Sequence, residues 1–426
     1  MRVTLVTPPS PFLLSDTSLP WLGPLWVAAC LRDRGHQVDI LDLAGNPDYA
    51  VTAASHVRRV GSDVYGVTAT APDYPMALQI RNAIRFANPS QRVILGGAHA
   101  TTSPVQCLGW DAVVCGDGFV ASERALTENG IIHASKRGEI VEDVDALPFP
   151  ARDLIDLARY DFRVCGERAT SYMTQFGCVM GCTFCCGRDV FVYRKMRARA
   201  PARVVEELDA VQGEYPMFTA AMFYDDEVNI PPARAIALCD ALANRRPTVY
   251  RGFIKAELFT EDVARAMSRA GFREVLTGVE SGSDRILKYV KKNTTLEINL
   301  RASPIAHRFG IRFKASTMIG LPTETLADVM ETKRWLLEAK PDDFDVTIYQ
   351  PMRGSPIYDR PDQEGAGLEF SHGNGIALPY KSVPGEYQAR TRTPELSSSD
   401  LVFLREQIDR EVRQELGLHS VARSGG

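Results

Sequence analysis

Three thiols fall within eight residues. The segment Gly177-Cys178-Val179-Met180-Gly181-Cys182-Thr183-Phe184-Cys185 leaves three residues between the first two cysteines and two between the next pair. A helix or a strand would scatter these thiols, whereas a compact loop with two glycines folds them onto one centre. Thiolates are soft ligands suited to iron–sulfur clusters or to zinc. A structural zinc site wants a fourth Cys or His, usually in a second pair at characteristic spacing, and no such pair follows. Three cysteines on a four-iron cluster leave one iron open, which is a place for chemistry. Cys186 would break the spacing and reads as a bystander. Cys30, Cys107, Cys115 and Cys239 stand in apolar settings and read as buried thiols, and Cys165 falls in a linker.

Further polar groups close the apolar runs downstream. These are Phe223-Tyr224-Asp225-Asp226-Glu227, Phe253-Ile254-Lys255-Ala256-Glu257, Gly278-Val279-Glu280-Ser281-Gly282-Ser283 and Met318-Ile319-Gly320-Leu321-Pro322-Thr323-Glu324-Thr325. Arg197 and Arg199, before Pro201, either steer anionic groups or start the next helix.

Such groups need strand ends to hold them. Candidate strands are Tyr172–Gln175, Met222–Tyr224, Tyr250–Ile254, Glu274–Gly278, Arg312–Thr317 and Asp345–Tyr349, with amphipathic helices between them. Six strand–helix units predict a partial parallel (β/α)6 barrel, with chemistry at the carboxyl ends of its strands. Upstream, the runs Val3–Thr7, Val38–Leu41, Val64–Thr68, Val93–Leu95 and Ala112–Cys115 alternate with helical segments such as Leu22–Arg34 and Pro75–Ala87. That alternation predicts an N-terminal doubly wound, Rossmann-like parallel sheet, with ligands outside the carboxyl ends of its strands. The expected division is 1–130 for this sheet, 131–170 for a linker, 171–358 for the barrel and 359–426 for a C-terminal extension. The extension holds one helix, Ser398–Leu416, and a frayed Ala422–Gly426.

With 426 residues, 45% of them hydrophobic, the chain has enough apolar material for two or three cores. A formal net charge of -4 gives no basic field for nucleic acid or an anionic membrane. No apolar run approaches the roughly 18 residues of a membrane span, and no secretory signal is read at the N-terminus. Nine cysteines, an odd number in a long chain, fit a reducing cytoplasm with thiols free for metal.

The cysteine spacing, with Phe184 before the third thiol, resembles the radical SAM superfamily, over essentially Ser171 to Tyr358. The resemblance implies that Cys178, Cys182 and Cys185 hold a [4Fe-4S] cluster whose open iron chelates S-adenosyl-L-methionine (SAM). An electron from the cluster then yields a 5′-deoxyadenosyl radical. It further implies that Asp225 accepts from the SAM amine and that Glu280 and Ser281 touch its ribose and methionine parts. Gly320 would lie near adenine, and Lys255 stands where relatives carry an Arg for the SAM carboxylate. The segment Tyr349-Gln350-Pro351-Met352-Arg353-Gly354-Ser355-Pro356-Ile357-Tyr358 resembles the cobalamin-associated and methylthiotransferase branches.

The front sheet resembles the cobalamin-binding domain that precedes many such barrels. The matching residues include Pro8-Pro9, Leu22-Gly23-Pro24, Gly66-Val67-Thr68-Ala69-Thr70, Gly96-Gly97-Ala98-His99 and Gly116-Asp117-Gly118. Cobalamin contacts are thus expected at Thr68, Thr70, Gly96, Gly97, His99, Gly116, Asp117 and Gly118. Relatives usually carry Gly-Glu-Gly-Glu at the last site, so Asp117 and Phe119 depart from it. No Asp-x-His-x-x-Gly motif is present, so no His is expected below the cobalt, and His99 is read as shaping its loop.

Together these resemblances imply a cobalamin-dependent radical SAM methyltransferase. It would act on an unactivated carbon of a small molecule, in specialised metabolism such as antibiotic biosynthesis, with an electron donor such as flavodoxin or ferredoxin. The alternatives are cyclisation, ring contraction or rearrangement without methyl transfer, and a non-catalytic corrinoid- or cluster-binding sensor. Substrate contacts are expected from the barrel interior, the loop after its first strand and the segment Pro361–Pro394. No residue stands out as a general acid or base.

Overall fold

The computed structural model describes residues 1–10, 12–371 and 385–419. Most of the Pro361–Pro394 segment's middle and the expected frayed end fall outside the described residues. The chain divides into two units, and among the described residues no helix is long and apolar enough to cross a membrane.

In the first unit, β1 (Arg2–Thr7), β2 (Gln37–Asp42), β3 (Val64–Thr68), β4 (Arg92–Gly96), β5 (Ala112–Cys115) and β6 (Gly130–His133) form a sheet ordered β2-β1-β3-β4-β5-β6. All pairings are parallel. The first five strands are those read in the sequence. The sixth, Gly-Ile-Ile-His, lies in the stretch expected to be a linker. Four residues are too few to show a period, and β6 is held in place by pairing with β5.

Helices cover both faces, as near-continuous apolar strands require. On one face Val6, Tyr65, Val67 and Leu95 pack against Ile80 and Ile84 of α3 (Tyr74–Ala87). On the other, Val3, Leu5, Ile94 and Val114 pack against Ala28 and Leu31 of α1 (Leu22–Asp33), with α2 (Tyr49–Val60) between these two helices in the chain. The strand order reverses between β1 and β3. At their carboxyl ends the loops are tied by Asp73, which accepts from Ser10 Oγ (2.5 Å) and from the Thr70 hydroxyl. Two short helices, α4 (Ala98–Thr102) and α5 (Gly118–Ala125), follow β4 and β5.

The second unit is a curled, open half-barrel. Its strands are β7 (Phe162–Val164), β8 (Glu167–Tyr172), β9 (Ala220–Phe223), β10 (Val249–Phe253), β11 (Phe272–Glu280), β12 (Arg312–Ile319) and β13 (Asp343–Ile348), adjacent in chain order. Only β7 runs antiparallel, to β8. The sequence placed the first barrel strand at Tyr172–Gln175. The strand instead ends at Tyr172, because Ala169–Tyr172 pairs with β9 and the loop begins at Met173. Cys165 sits at the β7–β8 turn, with Sγ 3.9 Å from the Arg273 carbonyl. That is the amino end of β8, away from the loop that follows its carboxyl end, so Cys165 is not a neighbour of the three-thiol loop.

Burial alternates along β12: Phe313, Ala315, Thr317 and Ile319 are buried, and Lys314 and Ser316 are less so. The outer layer holds Phe223 and Tyr250 stacked at 5.4 Å, with Phe272 5.5 Å from Tyr250. Each such ring contributes about 2–3 kcal/mol of burial. Helices α6 (Pro201–Glu214), α7 (Pro232–Ala243), α8 (Glu261–Ala270), α9 (Asp284–Tyr289), α10 (Leu296–Arg308) and α11 (Leu326–Ala339) follow the strands.

The last helix, α12 (Ser398–Leu416), lies where the sequence placed it and covers the open edge of β13. Tyr349 donates to Ile319 on β12 (2.8 Å), so odd-numbered residues face β12 and even-numbered carbonyls face outward. Two of these are capped: Arg413 Nη2 reaches Phe344 O at 2.7 Å and Arg405 Nε reaches Val346 O at 3.0 Å. Asp409, one helical turn from each, pairs with both arginines.

Candidate functional site

The three-thiol loop springs from the carboxyl end of β8. It is pinned by backbone bonds from Thr183 to Val290 (3.0 Å), from Ile357 to Thr183 (3.2 Å) and from Gly187 to Gly354 (2.7 Å). Arg188 Nη2 adds a bond to Cys178 O at 2.6 Å. Cys182 is buried, Cys178 half-buried and Cys185 exposed. Cys186 is exposed beside them, whereas Cys30, Cys107, Cys115 and Cys239 are buried as expected. Among the described residues no three His, Cys, Asp or Glu side chains gather tightly enough for a single metal ion. Three thiols on one loop suit a cluster, where each binds a different iron. Phe184 packs against an apolar cluster that includes Ile286, Val290, Leu321 and Tyr349.

Around this loop, successive strand ends bring up charge. Asp225 was expected to meet an amine, but the structure commits its two oxygens. One accepts from Thr174 N (2.6 Å) and Gln175 N (3.2 Å), and the other from the Thr174 hydroxyl. Asp225 therefore fastens the start of the cysteine loop to β9. The open carboxylates are its neighbours. Asp226 reaches solvent, yet the surrounding protein raises its carboxyl above the usual range, against the pull of Arg188. Burial pushes Glu227 up to about 7, opposed by the charges of Lys292 and Lys255. Its Oε2 and the Gln175 Oε1 are buried acceptors without a partner among the described residues.

Lys255 is buried, with Nζ 2.5 Å from Glu257 Oε1 and 3.2 Å from Lys292 O, so its charge is already matched. Glu280 lies beyond an irregularity in the β11–β12 register at Gly278, with φ 66. A bulge of this kind re-aims a side chain, and Glu280 Oε1 meets Lys292 Nζ at 2.8 Å. Ser281 is fully buried and bonded within the turn: its Oγ accepts from Ser283 N (3.2 Å) and lies 3.4 Å from Thr332 Oγ1. Its hydroxyl thus shapes the strand end. Gly320, at φ 87, donates its N–H to Glu324. A Cβ there would meet Leu401 Cδ1 at 3.0 Å, so the constraint comes from backbone conformation and from α12.

The spacing did not single out Lys292, Glu227 or Glu324. Lys292 had no motif around it. Glu324 is fully buried and pushed up to about 8 by that burial.

The first unit contains a cavity of about 210 Å3 among β1, β3, β4, β5, α1 and α5. Of the residues expected to contact a cofactor, Thr68, Gly96, Gly97, Gly116, Asp117 and Gly118 line it. Thr70 and His99 do not: Thr70 is engaged with Asp73, and His99 stacks on Tyr74 at 4.0 Å. Gly23 and Gly96 also line the cavity, and a Cβ on either would meet nothing within 4 Å. The remaining walls are largely Leu, Val and Ile, a lining that suits a planar apolar portion of a larger ligand. Asp117 is neutralised by Arg197 in a buried ion pair, and Arg199 pairs with Glu207 at 2.5 Å. Neither arginine is left to steer anions.

The sequence profile of the radical SAM superfamily matches residues 172–336, and that of the B12 binding domain matches residues 15–126. This chain carries a B12-binding domain and a radical SAM domain. A radical SAM domain implies a [4Fe-4S] cluster and SAM, and a B12-binding domain implies cobalamin. The residues present fit these groups: three thiols on one loop, unpartnered acceptors beside it, and a glycine-lined apolar cradle.

An uncharacterized methyltransferase of Pyrococcus horikoshii is 27% identical over 384 residues, covering 84% of this chain and 83% of that protein. The anaerobic magnesium-protoporphyrin IX monomethyl ester cyclase of Rubrivivax gelatinosus is 26% identical over 371 residues, covering 79% of this chain and 65% of the cyclase. The structure of TsrM, a radical SAM methyltransferase from Kitasatospora setae with cobalamin and a [4Fe-4S] cluster bound, superposes with TM-score 0.69. It is 18% identical and covers 97% of this chain and 90% of that one. That likeness establishes the fold of this chain.

Proposed function

We propose that this radical SAM enzyme is a cobalamin-dependent methyltransferase that modifies an unactivated carbon of a small molecule. The observation that carries the reading is the conjunction, in one chain, of the three-thiol loop with its open acceptors and the glycine-lined cavity. When bound, the cluster, SAM and cobalamin supply a one-electron route to a deoxyadenosyl radical and a carrier for a methyl group. The chain's own residues do the rest. Gln175 Oε1 and Glu227 Oε2 accept from a ligand ammonium, and Phe184 and Leu321 give apolar walls. Glu227, pushed up to about 7 by burial, remains able to exchange a proton near neutral pH, beside an Asp226 carboxyl that burial also raises. Gly23 and Gly96 leave room for an apolar portion of the cobalamin. Reduction comes from a small electron carrier such as flavodoxin or ferredoxin, in the cytoplasm.

A second reading, ring formation or rearrangement without methyl transfer, draws on the similarity to the anaerobic cyclase. The two separate in an anaerobic incubation of reconstituted protein with cobalamin, SAM, strong reductant and candidate acceptors. S-adenosylhomocysteine together with 5′-deoxyadenosine, and a product heavier by one carbon unit, supports methyl transfer. 5′-deoxyadenosine with no S-adenosylhomocysteine sinks it in favour of rearrangement.

A further inference from the structure

Lys292 lies in the short segment after α9, where Lys291 (φ 53) and Asn293 (φ 54) both adopt the left-handed conformation. Its partner Glu280 (φ 66) does so too. Side-chain-bearing residues rarely take this conformation, and at functional sites it persists because the surroundings enforce it. Three instances here fix one ammonium in one place. Lys292 is 7% exposed, 2.8 Å from Glu280 Oε1 and 6.0 Å from the centre of the Phe184 ring.

The pair also accounts for Gly278. A Cβ there would run into the Glu280 carboxylate and come within 3.1 Å of Lys292 Nζ. The same segment is tied to the cysteine loop by the Thr183 to Val290 bond. Phe184 directly precedes Cys185, so the ammonium stands against the cysteine loop itself. An enclosed fixed charge beside cluster ligands acts through little solvent screening, and local charge is one determinant of iron–sulfur potentials.

We infer that Lys292 is the fixed cation that raises the reduction potential of the cluster, and that Glu280 moderates it. This rests on the cluster reading of Cys178, Cys182 and Cys185. It assigns opposite effects to two neighbours. Lys292→Met removes the cation and makes the cluster harder to reduce. Glu280→Gln removes the anion, leaves the cation and makes reduction easier.

The test is an anaerobic redox titration of reconstituted full-length protein without SAM, following the reduced cluster by EPR, with iron content measured in each sample. At fixed ambient potential, the ratio of reduced to oxidised cluster should fall about tenfold in Lys292→Met and rise in Glu280→Gln. Lys292→Arg should stay near wild type. Where Lys292→Met takes up no iron, Glu280→Gln carries the test. Iron-replete variants that titrate like wild type show an ion pair with a structural role only, and overturn the inference. Wild-type protein that takes up no iron refutes the cluster reading itself, and the inference with it.

Discussion

Arg197 and Asp117, eighty residues apart in the chain, meet as an ion pair whose side chains are 4% and 7% exposed. Arg197 also donates to Val141 O at 2.8 Å, and Asp117 lines the cavity of the first unit. Removing one partner of such a pair strands a buried charge and costs about 3–5 kcal/mol, whereas replacing both is milder. Arg197→Met should therefore lower the thermal midpoint and retain less cobalamin after gel filtration, read by absorbance. Arg197→Met with Asp117→Asn should recover part of both losses. Equal retention in the single and double variants would count against this role.

Glu324 offers a pH test. Its carboxyl accepts from the backbone of Gly320 and Leu321, and burial holds its pKa at about 8, against 4.5 for a free glutamate. A raised folded-state pKa gives a contribution that is whole below about pH 4.5 and lost as pH rises through about 8. Glu324→Gln cannot lose it. The thermal midpoint of Glu324→Gln minus that of wild type should grow from pH 5 to pH 8 and level off above. A difference independent of pH would show that Glu324 is ionised throughout.

Replacement of Cys178, Cys182 or Cys185 by Ala should abolish 5′-deoxyadenosine formation and cut iron content, while Cys239→Ala should leave iron unchanged. Full 5′-deoxyadenosine formation in any of the three would overturn their assignment.

Two glycines should respond in opposite ways. A Cβ on Gly282 would lie 2.5 Å from Glu331 O and 2.6 Å from Thr332 Cα, both backbone atoms, so Gly282→Ala forces the turn away from α11. A loss of several kcal/mol and little soluble protein is expected. On Gly181, in the cysteine loop, a Cβ meets nothing within 4 Å, and Gly181→Ala should fold like wild type. Circular dichroism and melting of the two variants decide the matter.

The parts legible in the sequence are those written in local spacing. The cysteine loop, strands β9 to β13 and helix α12 needed only intervals and periodicity. The roles of single polar residues did not follow, because neighbours of one type are separated by tertiary bonds alone. Asp225, Asp226 and Glu227 read alike along the chain, yet Thr174 and Gln175 consume the first and leave the others open. Glu280 and Lys292 find each other through a bulge at Gly278 and through left-handed backbone at Glu280, Lys291 and Asn293, none of which is a glycine that would announce it. Arg197 could not be matched with Asp117 along the chain, because the two stand eighty residues apart.

The stripe Arg405–Asp409–Arg413 on α12 has a consequence for how the half-barrel survives as an open sheet. An uncovered parallel edge invites any extended peptide to dock as a further strand, the usual beginning of aggregation. Here the outward carbonyls of Phe344 and Val346 are taken by guanidinium groups, which a visiting strand's amides would have to displace. At the far edge β7 is only three residues long and runs antiparallel. The C-terminal helix thus acts as a built-in chaperone for the sheet. A fragment trimmed to the six parallel strands and their helices would keep the cysteine loop and lose its protection against self-association.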